Sequence, residues 1–145
     1  MNKVIDSFEG QYFFLSNFYE EAPLIFDHLL YQNSEAAFQA QKCPERRVEF
    51  SELNPSAAKK LGRKVKLRPD WDQIKDEVMY QVVKAKFEQH LDLIQALILT
   101  GDTELIEGNW WHDTYWGVCE GKGQNKLGKI LMRLRTEFKK SLGVN

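Results

Sequence analysis

"DWDQIKDEVMYQVVKAKFEQH", residues 70–90, is the longest helical signal in the chain. Ile74, Val78, Val82 and Phe87 recur at near-helical spacing, with Met79, Val83 and Lys86 flanking them, as in a helix that buries one face. Downstream, "DLIQALILTG" (92–101) predicts a mostly apolar, buried helix closed by Gly101. "NKLGKILMRLRTEFKKSL" (125–142) sets Leu127, Ile130, Leu131, Leu134 and Phe138 on one stripe, with Asn125 as N-cap. Upstream, "PSAAKKLG" opens a short helix with Pro55 in its first turn and Gly62 at its end. "NSEAAFQAQK" (33–42) predicts an alanine-rich helix capped by Asn33 or Ser34 and stopped by Pro44. "GQYFFLSNFYEEAPLIF" (10–26) is aromatic and broken by Asn and Pro, which predicts extended pieces and turns rather than a helix. The sum is a mainly α-helical protein with short strands and loops. Its 145 residues, free of repeats and linkers, predict a single domain over 1–145.

Composition narrows the function. With 20 basic and 21 acidic residues the formal charge is −1, so bulk electrostatics favour neither DNA nor an anionic membrane, and a polyanion would need a local patch. The start of the chain has no apolar run behind basic residues, and no stretch approaches the roughly 18 apolar residues of a membrane span. Cys43 and Cys119 have no metal-ligand spacing, and His28, His90 and His112 lie far apart. The expectation is a cytoplasmic, reduced protein with no metal, no cofactor and no membrane partner.

Three clusters carry chemistry. On the 33–42 helix, Glu35, Phe38, Gln39 and Lys42 project from one side, at i, i+3, i+4 and i+7. That stripe is either a solvated face or an acid, an amide and an amine aimed at one point. An amine with a pKa lowered by burial attacks a sugar's anomeric carbon and forms a Schiff base once the ring opens. A lysine that stays charged pairs with a carboxylate or phosphate instead.

The second cluster is "IEGNWWHDTYWG" (106–117), which holds three of the four tryptophans, with Glu107 and Asp113 straddling "GNWWH". Rings beside an acid exclude water and raise its pKa, and flat rings stack on nucleobases; the bland reading packs Trp110, Trp111 and Trp116 in the core. As a site wall, the segment yields Trp111 to the core first. The third cluster, "KKLGRKVKLRPDW" (59–71), gathers Lys59, Lys60, Arg63, Lys64, Lys66 and Arg68, either a solvated face or a phosphate-neutralising patch. "GVCEGKGQN" (117–125) is glycine-rich before a helix start, where free N–H groups can meet an anion, but it has neither the Walker nor the dinucleotide pattern.

Taken in order, these segments resemble the NADAR, or YbiA-like, family. "FEGQYFFLSNFY" (8–19) resembles its opening motif and "YQNSEAAFQAQK" (31–42) its Y-x-x-x-E…Q-x-x-K helix. "RPDWDQIKDEVM", "KF" (86–87), "TGD" (100–102), "LIEGNWWHDTYWG" (105–117) and "GQNKLGKILMRLR" (123–135) follow, so the resemblance spans residues 8–135. It implies a compact, mainly helical fold and N-glycosidase activity on a ribosyl–nitrogen bond. Two substrate branches come with it: phosphoribosylated aminopyrimidine intermediates of riboflavin synthesis, and guanine carrying ADP-ribose in DNA. The implied partners are therefore a nucleotide or ribosyl-phosphate substrate, or ADP-ribosylated DNA.

The resemblance places functional positions on Glu35, Lys42, Trp71, Glu107, Asp113, Trp116 and Asn125, with the lysine attacking C1′. Asn17 in the opening motif and Gln39 on the helix face complete the expected substrate-binding set. Glu35 or Glu107 would manage protons, Asp113 would hold ribose hydroxyls, and Trp71 and Trp116 would wall the pocket. The chain departs from the family at Ala36, where histidine is common, and at Cys119, where glycine is frequent. The rival reading is a module that binds ADP-ribose or NAD without turning it over.

Overall fold

The computed structural model describes residues 3–144. Among them, five α-helices and two 3-10 helices stand against six strands of two or three residues, a mainly helical fold as the sequence predicts. The chain divides into two compact units: Asn17–His90, and the residues up to Ser16 joined by those from Leu91 onward.

In the Asn17–His90 unit, β2 (Leu24–Phe26) and β3 (Leu29–Tyr31) form an antiparallel hairpin. Its two-residue turn, Asp27 and His28, has φ of 49° and 69°. Two positive φ values match the right-handed strand twist, but they suit Asn-Gly better than Asp-His. Arg47 offsets part of the strain, its Nη1 donating to both the carbonyl and Oδ2 of Asp27 at 2.9 Å.

Helix α1 (Ser34–Ala40) follows, and all seven of its residues are buried. Asn33 caps it by accepting from the Ala36 N–H at 2.8 Å. Small side chains at 36, 37 and 40 let α2 (Pro55–Gly62), α3 (Trp71–Glu88) and the 3-10 helix Pro44–Phe50 pack against it. That 3-10 helix lies where the sequence predicts only an end to α1; proline at its start supplies the turn. Helix α3 buries Trp71, Met79, Tyr80, Val82, Val83 and Phe87, and also Lys86, which is 1% exposed. The Lys86 ammonium lies 5.6 Å from the Tyr19 ring centroid and 5.3 Å from that of Phe87. Burial pulls its pKa down from 10.5 to about 7.

The other unit contains β1 (Val4–Ile5), the 3-10 helix Gly10–Leu15, α4 (Leu91–Leu99), β4 (Glu104–Leu105), β5 (Gly108–Asn109), β6 (Val118–Cys119) and α5 (Lys126–Ser141). The 3-10 helix corrects the expectation of extended chain over 10–26: Phe14 and Leu15 turn inward together, which a helical turn permits and a strand's alternation does not. β1 pairs with β4 and β5 with β6, both parallel. Helix α4 is half-exposed rather than wholly buried: Leu93, Ile94 and Leu97 face inward and Leu99 is 85% exposed. The α5 stripe buries Leu127, Leu131, Leu134 and Phe138, as its period predicts. Gly128 lets α5 lie against β4, because a Cβ there would strike the Leu105 carbonyl.

Two predictions follow from the folded core. His28→Gly relieves a left-handed histidine and should stabilise by about 0.5–1 kcal/mol, read as a higher urea midpoint at unchanged m-value. For Lys86, the unfolded chain holds the proton up to 10.5 and the folded chain releases it near 7, so stability rises with pH between those values. Lys86→Met removes that slope; wild type should gain on the variant in thermal melts taken from pH 7 to pH 10.

Candidate active site

The nine residues singled out from sequence fall into two groups, one in each unit. In the Asn17–His90 unit, α1 carries Glu35 and Gln39 on one face, and Lys42 lies just past its end. Gln39 Nε2 donates to Glu35 Oε2 at 2.6 Å, although Glu35 is only 8% exposed. Donating to a carboxylate fixes the amide's orientation, so the Gln39 oxygen faces the other way. That Oε1 is buried against Gly62 and accepts no hydrogen bond from any described residue. A buried acceptor left without a donor costs about 1–3 kcal/mol.

Lys42 is half-buried and its pKa is lowered, first by desolvation. The Glu35 carboxylate opposes the shift, while Arg63, Lys59 and Lys75 add to it. The basic run of the sequence thus acts on the amine electrostatically, and Lys75 from α3 joins it. Trp71 opens α3, buried, with its ring 5.2 Å from that of Phe38. Asn17 is spent on the chain itself: Oδ1 accepts from the Ser34 hydroxyl at 2.8 Å, Nδ2 donates to Met79 Sδ at 3.3 Å, and its carbonyl accepts the Glu35 N–H at 3.2 Å. It anchors the start of α1.

In the other unit, Glu107 leads into β5 and Asp113 closes the loop after it. Glu107 is half-buried with its Oε2 inside, over Gly117, where any Cβ would strike it. Asn125 holds the strand in place: Oδ1 accepts from the Glu107 N–H at 3.0 Å and Nδ2 donates to the Leu105 carbonyl at 2.9 Å. It stands at the start of α5, as the sequence predicts, but in the left-handed region at φ 51°, and its side chain does not cap the helix. The capping comes from elsewhere. The N–H groups of Gln124, Asn125, Lys126 and Leu127 donate to the carbonyls of Thr114, Gly117, Tyr115 and Trp116. At the end of the glycine-rich approach to α5, the N–H groups of Gln124 and Asn125 are therefore taken, as are those of Lys126 and Leu127 that open the helix.

Asp113 Oδ1 accepts from the N–H groups of Tyr115 and Trp116 at 3.1 and 2.9 Å, leaving Oδ2 outside these bonds. Trp116 is half-buried, its ring edge-on to Tyr115 at 4.8 Å. Trp110 and Trp111 are 78% and 43% exposed, so Trp111 does not join the core. Lys86 flanks the α3 stripe in the sequence, and its place beside Phe87 on an apolar face is the one signal of its burial. Cys43 and Cys119 are free thiols, and the described residues contain no group of three metal-ligating side chains. No helix among them is long and apolar enough to cross a membrane.

Comparison with known proteins matches residues 6–139 to the NADAR domain family. N-glycosidase YbiA of Escherichia coli (strain K12) is 38% identical over 122 residues, covering 80% of this chain and 76% of that protein. A riboflavin biosynthesis protein of Vibrio vulnificus is 36% identical over 138 residues, covering 91% of this chain and 37% of that one. The NMR structure of E. coli YbiA superposes with a TM-score of 0.87 at 35% identity, over 100% of this chain and 90% of that one. The chain belongs to the NADAR family and is an enzyme of the N-glycosidase class.

Proposed function

We propose that the protein hydrolyses the C1′–N bond of a phosphorylated ribosyl substrate, with Lys42 as nucleophile. The substrate is either a phosphoribosylated aminopyrimidine of riboflavin synthesis or guanine bearing ADP-ribose in DNA. The observation that carries the reading is the depressed Lys42 amine just past the end of α1, acted on by the buried Glu35 carboxylate of that helix. Cations at Lys59, Arg63 and Lys75 suit the phosphate that both substrate branches carry.

In the reaction, the Lys42 lone pair forms the new bond to C1′ and the glycosidic electron pair leaves with the base. Glu35 takes the proton that the attacking amine sheds and passes it to the leaving nitrogen, the sugar ring opens to a Schiff base, and water releases sugar and amine. Gln39 acts on the substrate side by fixing the Glu35 carboxylate through its Nε2, and Trp71 supplies an apolar wall. Asn17 acts by holding the start of α1 in position.

The test is a product assay on both substrates, with sugar and base followed by mass spectrometry. Lys42→Ala should lower kcat by about 10³-fold or more, and borohydride should trap a sugar on Lys42 of the wild type. Binding without product from either substrate would leave a non-catalytic ADP-ribose or NAD module in its place. A lysine with a lowered pKa loses its proton as pH rises through that value, so kcat/KM should rise with pH and level off below 10.5. Glu35→Gln removes the charge that holds the proton on, and NMR titration of the Lys42 side chain should then move to still lower pH. Asn125→Asp keeps the acceptor for the Glu107 N–H but sets a carboxylate against the Leu105 carbonyl, so it should lower the thermal midpoint, as Asn125→Ala should.

A further inference from the structure

A cavity of about 580 Å³ lies between β4 and α5, within the unit that runs on from Leu91. Two periodicities build it. In the extended run through β4, Leu105 is fully buried, so Glu104 and Ile106 fall on the other side, with Asp102 leading into them. At α5, Asn125, Lys129 and Met132 stand at i, i+4 and i+7, a stripe beside the buried one of Leu127, Leu131 and Leu134. The two rows face the same space, and Val118 closes its end together with Gly123 and Gln124. Glycine suits that closure, because a Cβ at 123 would strike the Gly117 carbonyl and the Val118 Cα.

Three charged side chains line this cavity, Asp102 and Glu104 from the strand side and Lys129 from the helix side. Asp102 has a cation of its own, since Lys139 Nζ lies 3.8 Å from its Oδ1. Glu104 and Lys129 are exposed, and among the described residues neither side chain enters a hydrogen bond or an ion pair. One carboxylate and one ammonium therefore look into the same space without pairing with each other. Between them lie Ile106, Val118 and Met132, half-buried and apolar.

We propose that the cavity between β4 and α5 binds a dipeptide with apolar side chains, its free ammonium on Glu104 and its free carboxylate on Lys129. The inference is independent of the ribosyl reading. Size fits: small-ligand sites run to roughly 300–1,000 Å³, and three apolar residues from separate elements give two side chains a floor. Charge selects among ligands of that size. A phosphate would answer Lys129 and face Glu104, a polyamine would answer Glu104 and face Lys129, and a neutral sugar would leave both unanswered. A zwitterion meets both at once.

The test is an NMR amide-shift titration of the isotope-labelled protein at low salt, with L-leucyl-L-leucine, its N-acetyl derivative and its C-terminal amide. The free dipeptide should move the amides of Glu104, Ile106, Lys129 and Met132 saturably. Acetylation or amidation, which each remove one ligand charge, should weaken binding about 2- to 5-fold, the worth of an exposed ion pair. Two variants assign the ends. Glu104→Gln should bind the free and acetylated peptides alike, and Lys129→Met should bind the free and amidated peptides alike. Both positions are exposed, so the variants should keep the wild-type fold, which thermal melts check. No saturable shift at those amides, or equal affinity of the wild type for all three peptides, overturns the proposal. So does saturation of the same amides by inorganic phosphate or spermidine in a protein that ignores the dipeptide. The readout is binding rather than turnover, so ribosyl hydrolysis can succeed or fail without altering it.

Discussion

The Asn17–His90 unit is organised by a helix with no face toward solvent. Burying all seven residues of α1 means that every polar group on it needs an internal answer. Asn33 answers the first N–H groups, Asn17 takes the Ser34 hydroxyl and the Glu35 N–H, and Gln39 answers the Glu35 carboxylate. The three alanines matter as much as the polar residues, because only small side chains let three neighbouring elements close around one short helix. One answer is missing, at Gln39 Oε1.

The same packing sets the chemistry of Lys42. An amine in water holds its proton far above neutrality, and desolvation at the end of a buried helix lowers that hold. Three cations lower it further and a single carboxylate pushes back. Removing α1 from the interior would return the lysine to ordinary behaviour, so the reactivity proposed for it is a property of the whole unit rather than of one side chain.

Much of this was legible in the sequence because helical period and capping are local. The stripes of α3 and α5, the Pro55 start of α2 and the Asn33 cap all depend on residues within a few positions of one another. What the sequence hid depends on distant partners. β1 pairs with β4 across about a hundred residues, and two-residue strands have no period to read. The 3-10 helix at Gly10–Leu15 was masked by aromatic composition that suits strands equally well. In the site, residue types were readable but their commitments were not. Nothing in a one-dimensional pattern says that Asn17 and Asn125 spend both polar atoms on the chain, or that Trp110 stays outside while Trp71 goes in.

The docking of the N–H groups of residues 124–127, at and just before the start of α5, onto the carbonyls of residues 114–117 has a mechanical meaning. The start of the helix and the acid-bearing segment form one body, since neither can loosen without exposing the other's backbone groups. Fraying at α5 would therefore be felt as disorder around Asp113 and Trp116, and substitutions deep in the Leu127–Phe138 stripe would act at a distance on residues they never touch. In this unit, tolerance to mutation and fidelity of the site draw on a common reserve.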